Sequence, residues 1–233
     1  MLFRSDEFSS IHLGSLPTIG VAMRREDFFR RWSDIHGGAQ IKGIVKGWLS
    51  ISYALARPLL WLHPNLITGS ALIFAALYLY WISTPIAIFC LALTLAIDGI
   101  DGTVAIMSNK SSRSGAALDA IVDRIVESCW AFGLFLLGAP WQVVLAAWLS
   151  AFVQEYMRAR AGGLGVHEVG IVTIAERPVR ASVIFIGLVA LNLGMWRVDD
   201  IAFVTAAIWA VMQFISLVTL FLSLRSRLQQ SPH

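Results

Sequence analysis

Residues 86–123 read IAIFCLALTLAIDGIDGTVAIMSNKSSRSGAALDAIVD, an apolar stretch that runs into aspartates at 98, 101, 119 and 123. About 20 mostly apolar residues are enough to cross a hydrocarbon core roughly 30 Å thick. A carboxylate inside such a segment costs free energy unless it is paired, bound to a metal or open to water. The stretch therefore predicts membrane helices that carry a functional site.

The rest of the chain continues this apolar pattern. Of its 233 residues, 57% are hydrophobic and only 14% are charged, a composition that excludes an ordinary soluble domain. We expect an all-α integral membrane protein with six transmembrane helices in one bundle. The predicted spans are 66–83, 86–107, 115–137, 140–161, 178–196 and 201–222.

The region before the first span has the pattern of an amphipathic helix. Apolar residues recur there at helical spacing, while Lys42 and Lys46 lie off the apolar stripe. This juxtamembrane helix, at 41–62, would lie in the headgroup interface or pack on the bundle. The predicted organisation is an N-terminal cytoplasmic extension at 1–40, this helix, a six-helix domain at 63–225 and a cytoplasmic tail at 226–233.

The basic residues indicate the orientation of the chain in the membrane. Lysines and arginines concentrate in residues 1–65, near 108–114, around 158–180 and in the tail, whereas only Arg197 lies on the opposite side. Lysine and arginine near the ends of spans favour the cytoplasmic side. We therefore expect a multi-pass membrane protein whose termini and site both face the cytoplasm.

The spacing of the four aspartates predicts that they converge. Asp98 and Asp101 are three residues apart and Asp119 and Asp123 are four apart, so each pair shares one face of its helix. A short connection at 108–114 would make the two helices antiparallel neighbours. Four like charges brought together repel, and one or two divalent cations would keep them ionised. Magnesium suits such oxygen ligands, and manganese is a plausible substitute.

Small residues accompany these aspartates, namely Gly99, Gly102, Ala105 and Gly115. Each of them leaves room for close helix packing or for a nucleotide lying against the backbone. Taken singly, each is better explained by packing. Taken together with the aspartates, they favour a binding site.

Residues 98–123 follow the pattern Asp-x-x-Asp-Gly-x-x-Ala-Ile-x8-Gly-x3-Asp-x3-Asp. This pattern resembles the signature of the CDP-alcohol phosphotransferase family, and 63–68, His-Pro-Asn-Leu-Ile-Thr, resembles the start of that family's first helix. Residues 156–161 and 176–180 are similar to segments of its actinobacterial phosphatidylinositol phosphate synthases. One position departs from the signature, because Ile106 stands where the family usually has arginine.

The resemblance implies an enzyme that moves the phosphatidyl group from CDP-diacylglycerol to an alcohol such as inositol phosphate and releases CMP. Asp98, Asp101 and Asp119 would hold two magnesium ions, and Asp123 would contribute to the second ion and act as general base. The implied donor-binding residues are Asn65, Thr68, Gly102, Ala105, Arg113 and Gly115, and the implied acceptor-phosphate residues are Arg158, Arg160 and Arg180. A homodimer in a bacterial inner membrane is also implied, with no nucleic acid as a partner.

Two alternatives remain open on the sequence. The first keeps the chemistry but uses glycerol phosphate or another acceptor, since the arginines favour a phosphorylated acceptor without choosing among such molecules. The second is a non-catalytic cation-binding relative or a transporter, which Ile106 supports. Transporters more often place acids near the bilayer midplane within broken helices. Asp98 to Asp123 instead cluster toward the predicted cytoplasmic end of the spans, so the enzyme is favoured.

Overall fold

The computed structural model describes residues 23–35, 38, 40–164 and 173–230. Within these ranges the chain is helical, and they contain no β-strand. This agrees with the predicted all-α class. Three parts of the predicted organisation lie partly outside the described residues: the N-terminal extension at 1–22, 36–37 and 39, the six-helix domain at 165–172 and the tail at 231–233.

Eight α-helices form within the described ranges, and a 3-10 turn at Arg57–Leu59 separates the second from the third. In chain order they are α1 Arg25–Ile35, α2 Gly43–Ala56, α3 Pro64–Tyr80, α4 Ile86–Met107, α5 Arg113–Leu136, α6 Trp141–Gly163, α7 Arg177–Asn192 and α8 Val198–Gln230. Helices α3 to α8 coincide with the six apolar segments of the sequence.

Proline, glycine and asparagine mark several of the helix boundaries. α3 starts at Pro64, where the missing N–H of proline costs nothing because the first turn has no intrahelical acceptor for it. Asn109, just after α4, and Gly138, just after α5, have φ values of 56° and 101°. Such left-handed conformations end a helix and are tolerated by these residue types.

Among the described residues, two helices are long and apolar enough to cross a membrane, α4 and residues Val198–Arg227 of α8. A third candidate span is the bent pair Val45–Leu59 and Pro64–Tyr80, whose axes meet at 105°. α7 has only 16 residues, and α5 carries five charged side chains, Arg113, Asp119, Asp123, Arg124 and Glu127. The fold is thus that of a helical membrane protein, and the bundle of six spans stays a prediction.

The chain separates into two compact units, whose borders fall inside α3, α4 and α5. The first comprises the chain up to Ala71 together with Ala96–Val122. In it, the Phe28 side chain of α1 is completely buried and lies 5.7 Å from the Tyr53 ring of α2, measured between centroids. Sequence reasoning assigned no secondary structure to 25–35, and Phe28 is the one buried side chain of this helix.

The second unit comprises Leu72–Leu95 and the chain from Asp123 onward. In it, α8 packs against α6 and α7. Gly187 of α7 meets the Thr205 side chain of α8, so closely that a Cβ at residue 187 would overlap the threonine hydroxyl. Small residues at such crossings allow the close backbone approach on which helix association in membranes depends.

Candidate active site

Asp98 of α4 and Asp119 and Asp123 of α5 form a group that we call the acid cluster. One carboxylate oxygen from each of the three lies within 4.8 Å of the other two, and all three side chains are half-buried. Asp119 and Asp123 are one helical turn apart and therefore share a face of α5. The structure thus brings together three of the four aspartates that the sequence predicted to converge.

Asp101 has different surroundings. It is only 4% exposed, its Oδ2 accepts a hydrogen bond of 2.5 Å from Thr68 Oγ1, and its Oδ1 accepts one of 2.6 Å from the N–H of Gly102. Three residues correspond to about 300° of helical rotation, so its side chain diverges by about 60° from that of Asp98. Thr68, predicted to bind the donor, holds this carboxylate in place.

The acid cluster has the right chemistry for a divalent cation. Its donors are carboxylate oxygens, the hard ligands that Mg²⁺ and Mn²⁺ prefer. Like charges this close together repel one another, and a cation between them would remove that repulsion. The residues therefore fit a metal of this class.

The predicted donor-binding residues lie on α3, α4 and the first turn of α5. A Cβ added to Gly115 would lie 3.3 Å from Asn65 Oδ1, so the absence of a side chain there lets Asn65 approach α5. A Cβ added to Gly102 would meet no atom within 4 Å, which leaves this face of α4 open to a ligand. Ala105 is half-buried, and Arg113 is exposed.

Arg177, the first residue of α7, makes an ion pair with the predicted base. Its Nη1 lies 2.7 Å from Asp123 Oδ1, and its guanidinium carbon lies 5.4 Å from the centroid of the Trp130 ring. The pair and the cation–π contact together fix the orientation of the Asp123 carboxylate. Sequence reasoning did not assign Arg177 to the site, although it precedes Pro178 in the segment 176–180 that carries the resemblance.

Arg180 lies inside a set of alternating charges that we call the arginine–glutamate network. Its side chain is completely buried, and its Nε forms a salt bridge with Glu127. Its Nη2 lies 3.4 Å from Glu155 Oε1, and its Nη1 donates to Gln213 Oε1 at 3.3 Å. The members of the network are Arg124, Glu127, Glu155, Arg158, Glu176 and Arg180.

Arg158 lies at another position in this network and is held by Glu176. Its Nη1 and Nη2 donate to the two carboxylate oxygens of Glu176 at 2.8 and 2.5 Å, a bidentate geometry that is strong and well oriented. Burial alone would raise the pKa of Glu176, but the hydrogen bonds from Arg158 and Thr173 outweigh burial and lower it. Arg160, in contrast, is exposed in the last turn of α6.

Sequence reasoning named Arg158 and Arg180 of this network as phosphate ligands and missed the glutamates. For Glu127 a signal was present, because it follows Asp123 by four residues and so extends the acidic face of α5. Its pairing with Arg180 bridges 53 residues of chain, since 180 − 127 = 53. Helical periodicity carries no information about contacts at that separation.

The model of the CDP-alcohol phosphatidyltransferase family matches residues 61–224, which include the whole acid cluster and the whole network. The chain belongs to the CDP-alcohol phosphatidyltransferase family. This confirms the family indicated by the pattern at 98–123 and makes the chain a CDP-alcohol phosphotransferase of phospholipid biosynthesis.

Relatives within the family are similar over much of the chain. An archaetidylinositol phosphate synthase from Pyrococcus horikoshii is 31% identical over 150 residues, which are 61% of this chain and 78% of that protein. A phosphatidylinositol phosphate synthase from Corynebacterium glutamicum is 32% identical over 144 residues, which are 58% of this chain and 59% of that protein.

A solved structure has a similar fold. The crystal structure of the Mycobacterium tuberculosis phosphatidylinositol phosphate synthase with CDP-DAG bound has a TM-score of 0.59 and 21% identity to this chain. The similarity covers 75% of this chain and 94% of that one. This similarity shows that the two chains share a fold.

Proposed function

We propose that this protein transfers the phosphatidyl group from CDP-diacylglycerol to a phosphorylated polyol such as inositol phosphate and releases CMP. The observation that carries this proposal is the acid cluster, three carboxylates within 4.8 Å in a chain of this family. Relatives named for inositol phosphate lipids, at 31–32% identity, support the choice of acceptor.

Asp98, Asp119 and Asp123 would hold the metal, and Asp101 is the proposed fourth ligand. Mg²⁺ is the proposed ion, with Mn²⁺ as a substitute and two ions per site. A bound divalent cation would neutralise charge on the pyrophosphate of the donor. The hydrogen bond from Thr68 supports the role of Asp101 by fixing the position of its carboxylate.

The donor would bind along α3, α4 and the start of α5. The proposed contacts come from Asn65, Thr68, Gly102, Ala105, Arg113 and Gly115. The open face at Gly102 supports this, because a nucleotide can approach the backbone there without meeting a side chain. Arg113 is exposed at the first turn of α5 and offers a positive charge for a phosphate.

In the proposed reaction, the acceptor hydroxyl oxygen forms a bond to the lipid-side phosphorus of the donor. The bond from that phosphorus to the bridging oxygen breaks, and CMP leaves with this oxygen. Asp123 accepts the proton of the hydroxyl, and its ion pair with Arg177 orients it for this task. Positioning of this kind supplies much of the rate gain in phosphoryl transfer.

Arg158, Arg160 and Arg180 are the proposed site for the acceptor phosphate. The planar fork of arginine matches a phosphate well. Arg160 is exposed and offers its guanidinium directly. Arg158 and Arg180 are held by glutamates, so their guanidinium groups would have a fixed orientation and would lose little ordering entropy on binding.

We propose the predicted membrane arrangement for this site. It has six spans, both termini and the active site on the cytoplasmic side of a bacterial inner membrane, and a homodimer. α2 would lie in the interface, which its exposed Val45, Ile51 and Leu55 support. The acyl chains of the donor would then remain in lipid while its headgroup reaches the acid cluster.

An acceptor screen tests the reaction. The purified chain is incubated with CDP-diacylglycerol, Mg²⁺ and either inositol phosphate, glycerol phosphate or free inositol, and released CMP is measured. We expect CMP with inositol phosphate and much less with free inositol. CMP with glycerol phosphate alone would reassign the acceptor, and no CMP with any of them would refute the proposal.

The replacement Asp123→Asn tests the general base. We expect CMP release to be lost while Mn²⁺ still binds to the remaining aspartates, because the amide cannot accept the proton. Mn²⁺ binding is measured by electron paramagnetic resonance, and Asp200→Asn, an exposed position in the first turn of α8, is the matched control. Unchanged CMP release by Asp123→Asn would remove this residue from its role.

A further inference from the structure

A tryptophan of α2 lies directly against the part of α4 that carries the aspartates. A Cβ added to Gly99 would lie 2.5 Å from Cζ2 and 2.8 Å from Nε1 of Trp48. These distances are shorter than the roughly 3.5–4.0 Å of ordinary van der Waals contact. The indole therefore fills the space that a side chain at residue 99 would need, between Asp98 and Asp101 along the chain.

A second contact from the N-terminal region reaches the connection between α4 and α5. Arg31 of α1 donates from Nη2 to Asn109 Oδ1 at 2.6 Å. Asn109 has a left-handed backbone, and its N–H donates to the carbonyl of Ile106 at 3.2 Å. The turn that leads from α4 into α5 is thus fastened to α1 by a charge-assisted hydrogen bond.

The two contacts come from one support, because α1 and α2 are held to each other. Tyr53 of α2 donates its hydroxyl proton to the carbonyl oxygen of Met23, just before α1, at 2.8 Å. Arg25 of α1 donates to Ser50 of α2, and the buried Phe28 packs between these helices. We call α1 and α2, with Trp48 and Arg31, the N-terminal clamp.

We propose that Trp48 and Arg31 are positioning residues that set the geometry of the acid cluster, an inference that rests on the proposed function. Trp48 presses on α4 next to Asp98, and Arg31 fixes the turn into α5, the helix that carries Asp119. Sites for ions and reacting groups lose much of their effect when ligands move by about 1 Å. The N-terminal helices would therefore act on the metal site without touching it.

A purely structural role for the clamp makes a different prediction. If the contacts only held the fold together, their loss would lower stability and leave the metal affinity of the folded protein unchanged. If they position the aspartates, metal affinity and kcat change while KM for the donor stays nearly constant. The affinity for Mn²⁺ is therefore the deciding measurement.

The first experiment compares Trp48→Ala with Trp61→Ala in the full chain in detergent. Trp61 lies between α2 and α3, is 78% exposed, and serves as a matched tryptophan. We expect Trp48→Ala to weaken Mn²⁺ binding and to lower kcat by about 10-fold each, with less effect on KM. Trp61→Ala should alter each quantity by less than about twofold. Equal effects of the two replacements on the Kd for Mn²⁺ would overturn the proposal.

The second experiment uses the contact itself. Gly99→Ala in the parent forces the new methyl group against the indole, so Mn²⁺ binding and kcat should fall. In the Trp48→Ala background the same replacement meets no indole and should cost little more than Trp48→Ala alone. If Gly99→Ala costs the same in both backgrounds, the contact with Trp48 does not position the aspartates.

The third experiment tests the bond to the turn, with exposed Arg30 as the matched control. Arg31→Gln and Asn109→Ala should each weaken Mn²⁺ binding by about threefold to fivefold, and the double replacement should not add to this. Arg31→Lys should restore part of the affinity, whereas Arg30→Gln should leave it unchanged. Full additivity, or an equal effect of Arg30→Gln, would contradict the role of Arg31.

The two proposals fail separately. A parent protein that releases no CMP with any acceptor refutes the proposed function, and the Mn²⁺ titrations still decide whether the clamp shapes the acid cluster. A parent that releases CMP while Trp48→Ala and Trp61→Ala bind Mn²⁺ alike refutes the clamp alone.

Discussion

The acid cluster and the arginine–glutamate network handle partly buried charge in opposite ways. The cluster gathers carboxylates of one sign within 4.8 Å, whereas the network alternates signs, with Arg180 between Glu127 and Glu155. Like charges need a counter-charge from a ligand, while alternating charges satisfy one another. The acid cluster therefore has the charge pattern of a binding site, and the arginine–glutamate network has that of a rigid support.

This difference also separates the three proposed phosphate arginines. Arg180 and Arg158 are engaged by glutamates, so their replacement should disturb the support as well as recognition. Arg160 is exposed, and its replacement should change only the KM for a phosphorylated acceptor. Substitutions in the acid cluster and in the arginine–glutamate network each test this difference.

The largest effect is expected from the acid cluster. Asp119→Asn should lower CMP release on the order of 10³-fold, because the metal that would neutralise charge on the donor's pyrophosphate loses a carboxylate ligand. The stability of the Asp119→Asn variant without metal should equal or exceed that of the parent, since one source of like-charge repulsion is removed. CMP release and the Tm in metal-free detergent solution measure the two effects. A clear loss of metal-free stability would show that Asp119 belongs to the support.

The next effect is expected from the network. Glu127→Gln leaves the buried Arg180 without its closest carboxylate and should destabilise the fold by about 3–5 kcal/mol. Unfolding in mixed micelles measures this, and Glu26→Gln, an exposed acid of α1, is the control. The pair Glu127→Gln with Arg180→Met should recover a large part of the stability. If Glu127→Gln unfolds like the control, the network is not a support.

The smallest effect concerns pH. The pKa of Glu176 is lowered in the folded protein by Arg158 and Thr173, below the unfolded value of about 4.3. The stabilisation is therefore complete above about pH 4.3 and is lost as the pH falls through the folded pKa. Tm measured from about pH 6 down to about pH 3 should fall less steeply for Glu176→Gln. Parallel curves for the two proteins would contradict this assignment.

Periodicity and apolar length were sufficient to predict helices α3 to α8, because each is a long apolar segment. Spacing along one helix likewise predicted that Asp119 and Asp123 share a face. Spacing alone did not predict the surroundings of Asp101. Its side chain is rotated by about 60° from that of Asp98 and accepts a hydrogen bond from Thr68, so the two carboxylates have different neighbours. Whether a helix crosses the membrane is harder to predict for α5 and α7. α5 carries several charged side chains, and α7 is shorter than the usual transmembrane helix.

Contacts between distant segments were beyond the reach of the sequence. Sequence reasoning assigned no helix to α1, although Phe28, Trp32 and Ile35 recur there at the spacing of one helix face; its packing on Tyr53 of α2 is seen only in the structure. Trp48 lies within the amphipathic helix predicted at 41–62, but its partner Gly99 is 51 residues away, since 99 − 48 = 51. A glycine in a sequence shows only that a side chain is absent. The structure is needed to show which residue occupies the space beside it.

The meeting of Trp48 with Gly99 also constrains how this family can vary. A methyl group at 99 would overlap the indole at 48 unless the tryptophan shifts, so we expect the residues at the two positions to vary together among homologues. Homologues with a side chain at the equivalent of 99 should have a small residue at the equivalent of 48, or no helix there. The residues at these two positions would therefore indicate which homologues have an N-terminal helix pair like this one.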